Sequence, residues 1–329
     1  GRGNTPTAGW VVSIEDQPDQ QPATIKHIQS RRTASPMPAD LLELGCWIAR
    51  YYLAPLGPTL SSMVPAPVKR GVGVVQKRYL EPAPQPDELP RLGPAQKQVL
   101  QTIKALPAES LPIERDVLRV AAGISTHSPI EGLVKKNLLI EHRRTSIEST
   151  WTAKHLNASA TPTPTDEQAT IITDVIDTLD AGFSVHLLRG VTGSGKTEVY
   201  LRVIAETLAK GRAVLVLVPE IALTPQTAAR LAHRFPNENV AIVHSALPAA
   251  ARNAHWEAIR SGDARIVLGA RSAVFAPFPA DTLGLIVVDE EHDASFKQDS
   301  NPRYHGRDVA IRRGRISTCP VLLCSATPS

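Results

Sequence analysis

From residue 165 onward the chain alternates between two kinds of pattern. Short, nearly continuous apolar runs occupy residues 185–188, 213–218, 240–243, 265–268, 283–288 and 321–323, and the segments between them repeat apolar positions every three or four residues. Continuous apolar strands separated by amphipathic helices predict a mostly parallel sheet covered on both faces. The first half reads differently. Leu41, Leu44, Ile48, Tyr51 and Tyr52 sit at helical spacing over 39–53, ahead of Pro55 and Gly57, and two short strands are expected near 9–15 and 23–27. Helices are expected at 94–106, 112–122 and 126–137, followed by strands at 138–144 and 149–155. Three helices and a two-stranded ribbon form the pattern of a winged helix, whose third helix can enter a DNA groove or serve as a spacer or protein contact.

Proline divides these regions. Pro82, Pro84, Pro86, Pro90 and Pro94 cannot continue a helix or a central strand and behave as a semi-rigid spacer. A second break, Thr161-Pro162-Thr163-Pro164, precedes Thr165-Asp166-Glu167-Gln168, which has the spacing of a helix capping box. The expected organisation is a small mixed domain over 1–80, a linker over 81–93, a winged helix over 94–157 and an α/β lobe over 161–329. Only a short glycine-containing stub precedes the first expected strand, so the N-terminus is expected to be truncated.

Composition narrows the class. The 329 residues are 42% hydrophobic and 21% charged, an ordinary globular mixture. No apolar run approaches the ~18 residues of a membrane span, and Cys46, Cys319 and Cys324 lack the spacing of a disulfide framework or a zinc site. A cytosolic protein is expected, with no membrane partner. The net charge of +4 has its basic excess in the first half, which suits a phosphate backbone but also an ordinary solvated surface.

The chemistry concentrates in two places. Gly190-Val191-Thr192-Gly193-Ser194-Gly195-Lys196-Thr197 matches the GxxxxGK[ST] phosphate loop without interruption, between an apolar strand and a helix. Backbone N–H groups of such a loop face an anion, Lys196 reaches the β- and γ-phosphates, and Thr197 ligands Mg²⁺. The second place is Asp289-Glu290-Glu291-His292, after the strand at 283–288. Here Asp289 is the candidate second Mg²⁺ ligand, Glu290 the candidate general base, and His292 completes the candidate catalytic set.

With Pro219–Gln226, Gly269-Ala270-Arg271-Ser272 and Ser325-Ala326-Thr327-Pro328, these motifs occur in the order found in superfamily 2 helicases. The run Lys297–Gln298 through Arg303-Tyr304-His305-Gly306-Arg307-Asp308, together with Asp289–Asp293, resembles the aromatic-rich loop of the bacterial replication-restart (PriA-type) family. Trp47–Tyr52 with Pro55-Leu56-Gly57 is similar to that family's domain for the three-prime end of a nascent strand. The resemblance implies a fold in which a RecA-like P-loop lobe follows a winged helix and a small, β-rich DNA-binding domain. It implies an ATP- and Mg²⁺-dependent helicase that recognises stalled forks, moves three-prime to five-prime on single strands and helps reload the replicative helicase. Its partners would be branched and single-stranded DNA, single-stranded DNA-binding protein and helicase-loading proteins, and its place the nucleoid.

Residue by residue, the resemblance implies that Gln168 contacts adenine, although its reading as the capping partner of Thr165 is compatible with this. Gly190, Gly193, Ser194 and Gly195 would hold phosphate. Thr224, Arg271 and Ser272 would line the single-strand track, with a structural ion pair as the alternative for Arg271. Phe296, Lys297, Tyr304 and His305 would sense DNA, the aromatics by stacking on bases. Ser325 and Thr327 would couple nucleotide state to domain motion, and Lys26 would contribute to the three-prime-end pocket. The resemblance also implies a second RecA-like lobe and a zinc-binding cysteine cluster outside these 329 residues, so the chain alone is expected to bind nucleotide and DNA weakly and not to unwind. A fork-binding platform that uses ATP only as a conformational switch is the alternative to a motor.

Overall fold

The computed structural model describes residues 9–12, 37–70, 76–84, 90–107, 110–145 and 162–328. The chain forms two compact units, one of Val74–Ser146 and the other of the remainder.

The smaller unit holds three strands in the order β2-β1-β3. Strand β1 (Gln76–Pro82) pairs antiparallel with β3 (Leu139–Thr145) and with the short β2 (Ile113–Glu114), with Leu80 opposite Glu141 on one side and Ile113 on the other. Helices α4 (Pro94–Lys104), α5 (Arg115–Ala121) and α6 (Ser128–Lys135) cover it. Leu80, Val99, Ile103, Leu118, Ile130 and Leu133 are its shared core. The boundary expected at residue 80 therefore falls inside β1. The unit draws its central strand from before the proline spacer, because Leu80 completes a core that the helices alone leave open. The strand expected at 149–155 lies outside the described residues, and β3 takes β1 as its partner instead. Arg115, nearly buried, ties the unit together through Glu131 (2.6 Å), Glu141 (3.6 Å) and the Nδ1 atom of His127 (3.2 Å).

The larger unit is built on six parallel strands in the order β4-β9-β8-β5-β7-β6. They are β4 (Val185–Arg189), β5 (Ala213–Leu217), β6 (Val240–Val243), β7 (Ile266–Gly269), β8 (Leu283–Val288) and β9 (Val321–Ser325), each at an apolar run predicted from the sequence. Every residue of β5, β7, β8 and β9 is buried, as strands covered on both faces require. Helices α7 (Asp166–Asp177), α8 (Lys196–Ala209), α9 (Pro225–Arg234), α10 (Ala249–Ser261) and α11 (Gly306–Ile316) connect and cover them. The result is the expected α/β lobe with its parallel sheet.

Helix α7 begins on the predicted capping box. Thr165 Oγ1 accepts the Gln168 N–H at 3.3 Å, and Gln168 Oε1 accepts the Thr165 N–H at 3.0 Å. Thr165→Ala removes one of these acceptors and is expected to lower the stability of this unit by about 1 kcal/mol, read as a shift in its denaturation midpoint. No shift would mean that water satisfies the helix end equally well.

Residues 37–70 also belong to this larger unit. Helix α1 (Ala39–Tyr51) buries Leu41, Leu44 and Ile48, and α2 (Leu56–Met63) and α3 (Ala66–Arg70) follow. Residues 9–12 form no strand, the remainder of the strands expected near 9–15 and 23–27 lies outside the described residues, and so does Lys26. The described part of this segment is helical rather than β-rich. Its polar anchor is Arg313 on α11, fully buried, which donates to the carbonyls of Val274 and Ala276 and pairs with Asp40 of α1 at 3.3 Å.

Candidate nucleotide and nucleic-acid site

The carboxyl ends of β4, β9, β8 and β5 lie side by side, the edge at which open α/β sheets place ligands. The phosphate loop leaves β4 there and enters α8. Its Gly190 N–H donates to Ser325 O at the end of β9 (3.0 Å), and the Asp289 N–H donates to Leu217 O at the end of β5 (2.8 Å). Two backbone bonds thus draw the loop and the acidic strand end to one edge.

The loop has the conformation its glycines permit. Gly193 and Gly195 have φ of +82° and +85°, which bulkier residues rarely adopt. At Gly195 a Cβ would also lie 2.5 Å from Gln168 Nε2, which donates to Ser194 O at 2.9 Å. Gln168 is therefore both the capping partner of Thr165 and a brace against the loop. Lys196 is buried beneath it, its ammonium donating to Gly190 O (2.7 Å) and Val191 O (3.3 Å) and lying 3.7 Å from Glu290 Oε1. A cation at the focus of a curled loop that opens α8, with Ser194 and Gly193 exposed at its rim, fits a polyphosphate.

The acid groups sit opposite. Asp289 Oδ1 accepts the Glu290 N–H at 3.1 Å, and Oδ2 accepts the Tyr200 hydroxyl at 3.3 Å. Burial, reinforced by the charge of Glu290, pushes the Asp289 carboxyl above the usual carboxylate range, while Tyr200 and Lys196 pull it back. Burial likewise pushes the Tyr200 phenol well up. The Asp289 carboxylate and the hydroxyl of Thr197, in the first turn of α8, are hard-oxygen donors of the kind that fit Mg²⁺, with Glu290 beside them. Glu290 has φ of +48°, an uncommon backbone for a residue with a side chain, of the kind that clusters at functional sites. His292 Nδ1 lies 2.7 Å from Ser325 Oγ and 3.7 Å from Glu290 Oε2, so it links the acidic turn to the end of β9.

The residues expected on DNA divide into two groups. Ser272 and Lys297 are exposed, and Thr224 is half-buried as the cap of α9, accepting the Thr227 N–H at 3.3 Å. Phe296 and Tyr304, however, are 0% and 2% exposed within the core, with Tyr304 edge-on to Phe275 at 5.3 Å. Neither ring is open to stacking on a base in this arrangement. The loop turns inward because Arg271 donates to the carbonyls of Ser295 (3.0 Å) and Lys297, and its guanidinium lies 5.9 Å from the Tyr304 ring centre. Nη1 of Arg271 is thus engaged by the loop, and among the described residues Arg271 makes no ion pair. His305 is half-buried, and burial lowers its pKa.

Aromatic surface comes instead from α1. Tyr51, 62% exposed, stacks on Trp47 at 4.7 Å, and Tyr52 stands edge-on to both. Tyr52 Oη accepts the His305 N–H (3.1 Å), its hydroxyl donates to Asp308 (3.4 Å), and the Lys297 ammonium lies 5.6 Å from its ring centre. Asp308 in turn pairs with Arg307 (3.2 Å), and Arg307 with Glu291 (2.9 Å) beside Glu290. Helical spacing alone marks Tyr51 and Tyr52 as core, and the resemblance of Trp47–Tyr52 to a three-prime-end domain points to the segment without revealing these contacts.

Comparison with known proteins bears on both ends of the chain. Residues 165–329 match the DEAD/DEAH box helicase family, and residues 2–65 match the 3′ DNA-binding domain (3′BD) of PriA. The chain is 44% identical over 206 residues to the replication restart protein PriA of Bacillus subtilis, covering 62% of this chain and 25% of that protein. It is 39% identical over 306 residues to the PriA protein of Chlamydia pneumoniae, covering 89% of this chain and 39% of that protein. The chain thus spans well under half the length of these relatives. Among solved structures, RecG bound to a three-way DNA junction is similar over 51% of this chain and 21% of its own, at 24% identity and a TM-score of 0.40. A helicase lobe preceded by a 3′ DNA-binding segment, at this level of identity, means that the chain belongs to the DEAD/DEAH box helicases and, within them, to the PriA replication restart proteins.

Proposed function

We propose that the chain is the nucleotide-binding and DNA-engaging part of a replication-restart helicase, which hydrolyses ATP to move three-prime to five-prime along single strands and acts on stalled forks. The observation that carries this reading is the convergence of Lys196, Asp289, Glu290 and His292 at one sheet edge, in a chain whose other end matches a 3′ DNA-binding domain.

In this reading Lys196 turns from its carbonyl partners to the β- and γ-phosphates, and Gly193 and Gly195 offer backbone N–H groups to the same oxygens, while Gly190 and Ser194, whose N–H groups donate to Ser325 O and Val191 O, fix the shape of the loop around them. Thr197 and Asp289 hold Mg²⁺, which supplies charge neutralisation of the phosphates when bound. Glu290 accepts the proton of the attacking water, and the γ-phosphoryl group leaves ADP as inorganic phosphate. Gln168 bridges the phosphate loop to the start of α7, next to where a base would lie. His292 and Ser325 pass the state of the acidic turn to β9. Thr224, Ser272 and Lys297 contact the single strand through its phosphates, and the face of α1 around Tyr51 offers a stacking surface. Single-stranded DNA-binding protein and helicase-loading proteins are the partners this reading gives the whole protein, with the nucleoid as its site of action. Zinc would belong to parts of the whole protein other than these 329 residues. The unit of Val74–Ser146 has the helices and wing strand of a winged helix, and 161–329 forms the first RecA-like lobe.

Polarity tests the proposal. Duplexes carrying either a 3′ or a 5′ single-stranded tail, incubated with the whole protein, ATP and Mg²⁺, should be unwound only from the 3′ tail. Unwinding from the 5′ tail alone, or without ATP, would contradict it.

A further inference from the structure

Tyr200 lies one helical turn beyond Lys196 on α8, among Val199, Val203 and Ile204, where an aromatic is ordinarily core filler. It is 5% exposed, and a buried tyrosine hydroxyl needs a hydrogen-bond partner. Backbone carbonyls are the usual choice for an isolated buried hydroxyl. Here the hydroxyl donates to Asp289 Oδ2 at 3.3 Å, and the Thr197 side chain, one turn earlier on the same helix, is near enough to influence it. Those are the two side chains that the proposed function assigns to the metal, one from the start of α8 and one from the turn after β8. Asp289 Oδ1 is already fixed by the Glu290 N–H. The Tyr200 hydroxyl therefore supplies the second restraint on the carboxylate, and together the two bonds set its rotation about the Cβ–Cγ bond.

We propose that Tyr200 is a positioning residue of the metal site: its hydroxyl holds the Asp289 carboxylate in a single arrangement across the cleft from Thr197, so that nucleotide is bound more tightly with Mg²⁺ than without it. The inference rests on the nucleotide-site reading above and adds a residue to it. Outer partners of metal ligands commonly carry about 10–100-fold of metal affinity, because ligands left free to rotate must be ordered by the metal itself. A phenol suits this role, since it donates a hydrogen bond without adding charge to a place that already holds two carboxylates.

Removing one oxygen tests this. The whole chain and its Tyr200→Phe variant are titrated with a fluorescent ATP analogue, once with saturating Mg²⁺ and once with chelator, and Mn²⁺ binding to the nucleotide-loaded protein is followed by electron paramagnetic resonance. Tyr200→Phe should keep the metal-free nucleotide affinity within about twofold and lower the Mn²⁺ affinity by about tenfold or more. In an Asp289→Asn background, the same change should have little further effect, since the group it positions is gone. Equal Mn²⁺ affinity in parent and variant would overturn the positioning role and leave the nucleotide site intact. An equal loss with and without metal would show Tyr200 to be packing alone, which also overturns it. Failure of the parent chain to bind the analogue at all would instead remove the nucleotide-site reading, and this inference with it.

Discussion

Replacing Lys196 with alanine is expected to lower nucleotide affinity by about two orders of magnitude or more. A hydrogen bond to a charged partner is worth roughly 1.5–3 kcal/mol, tenfold in affinity corresponds to about 1.4 kcal/mol, and a single ammonium would serve two phosphates from a buried position. Lys196 also lies 3.7 Å from Glu290, so its loss leaves the acidic turn facing polyphosphate without that compensation. Glu290→Gln should behave in the opposite sense: nucleotide affinity is kept or raised, while DNA-stimulated turnover by the whole protein falls by about 10²–10⁴-fold, the usual worth of a positioned general base. Calorimetric titration and a phosphate-release assay on the two variants separate these effects. Binding by Lys196→Ala within threefold of the parent would show that the loop is not the phosphate site. Full turnover by Glu290→Gln would remove the base, and full fork activity without turnover would favour a platform that uses nucleotide as a switch.

Arg313→Ala should cost the larger unit about 3–5 kcal/mol, the range seen when one partner of a buried ionic network is deleted. The guanidinium is wholly buried, satisfies the carbonyls of Val274 and Ala276, pairs with Asp40, and lies 5.3 Å from the Phe278 ring centre. Its removal strands two carbonyls and a carboxylate at once, and the turn that carries Arg271 and Ser272 loses its support. Urea denaturation followed by tryptophan fluorescence reads the loss, and Asp40→Asn, which keeps both carbonyl bonds, should cost much less. A change below about 1 kcal/mol for Arg313→Ala would mean that water enters the space and that the carbonyl bonds contribute little.

Much of the larger unit is legible because its physics is local. Six parallel strands, four of them wholly buried, show as six apolar runs, and the phosphate loop and acidic turn are contiguous motifs whose positions follow from the strands that carry them. What is not legible depends on contacts between distant segments. Phe296 and Tyr304 stand in a stretch rich in Lys, Asp, Asn and Arg, which reads as a solvent-facing loop. Bonds to Arg271, more than twenty residues earlier, and to Tyr52, 253 residues before His305, hold that loop inward. Arg313 lies in an Arg-Arg-Gly-Arg run that looks like a solvated helix end, and nothing near it announces carbonyls at Val274 and Ala276. Strand β1 is separated from its core by a proline spacer, and prolines mark where regular structure stops, not which side of the break a strand will join. Tyr200 fits the apolar face of α8 so well that its hydroxyl goes unnoticed.

The left-handed backbone at Glu290 sets a trade-off between durability and chemistry. A residue with a full side chain held at φ of +48° costs of order 1–3 kcal/mol relative to a relaxed one, whereas asparagine tolerates that region with less penalty. Glu290→Asn is therefore the substitution most apt to make this part of the chain sturdier while removing the acid the turn exists to present. A screen for heat-resistant variants, run without an activity check, would drift toward it.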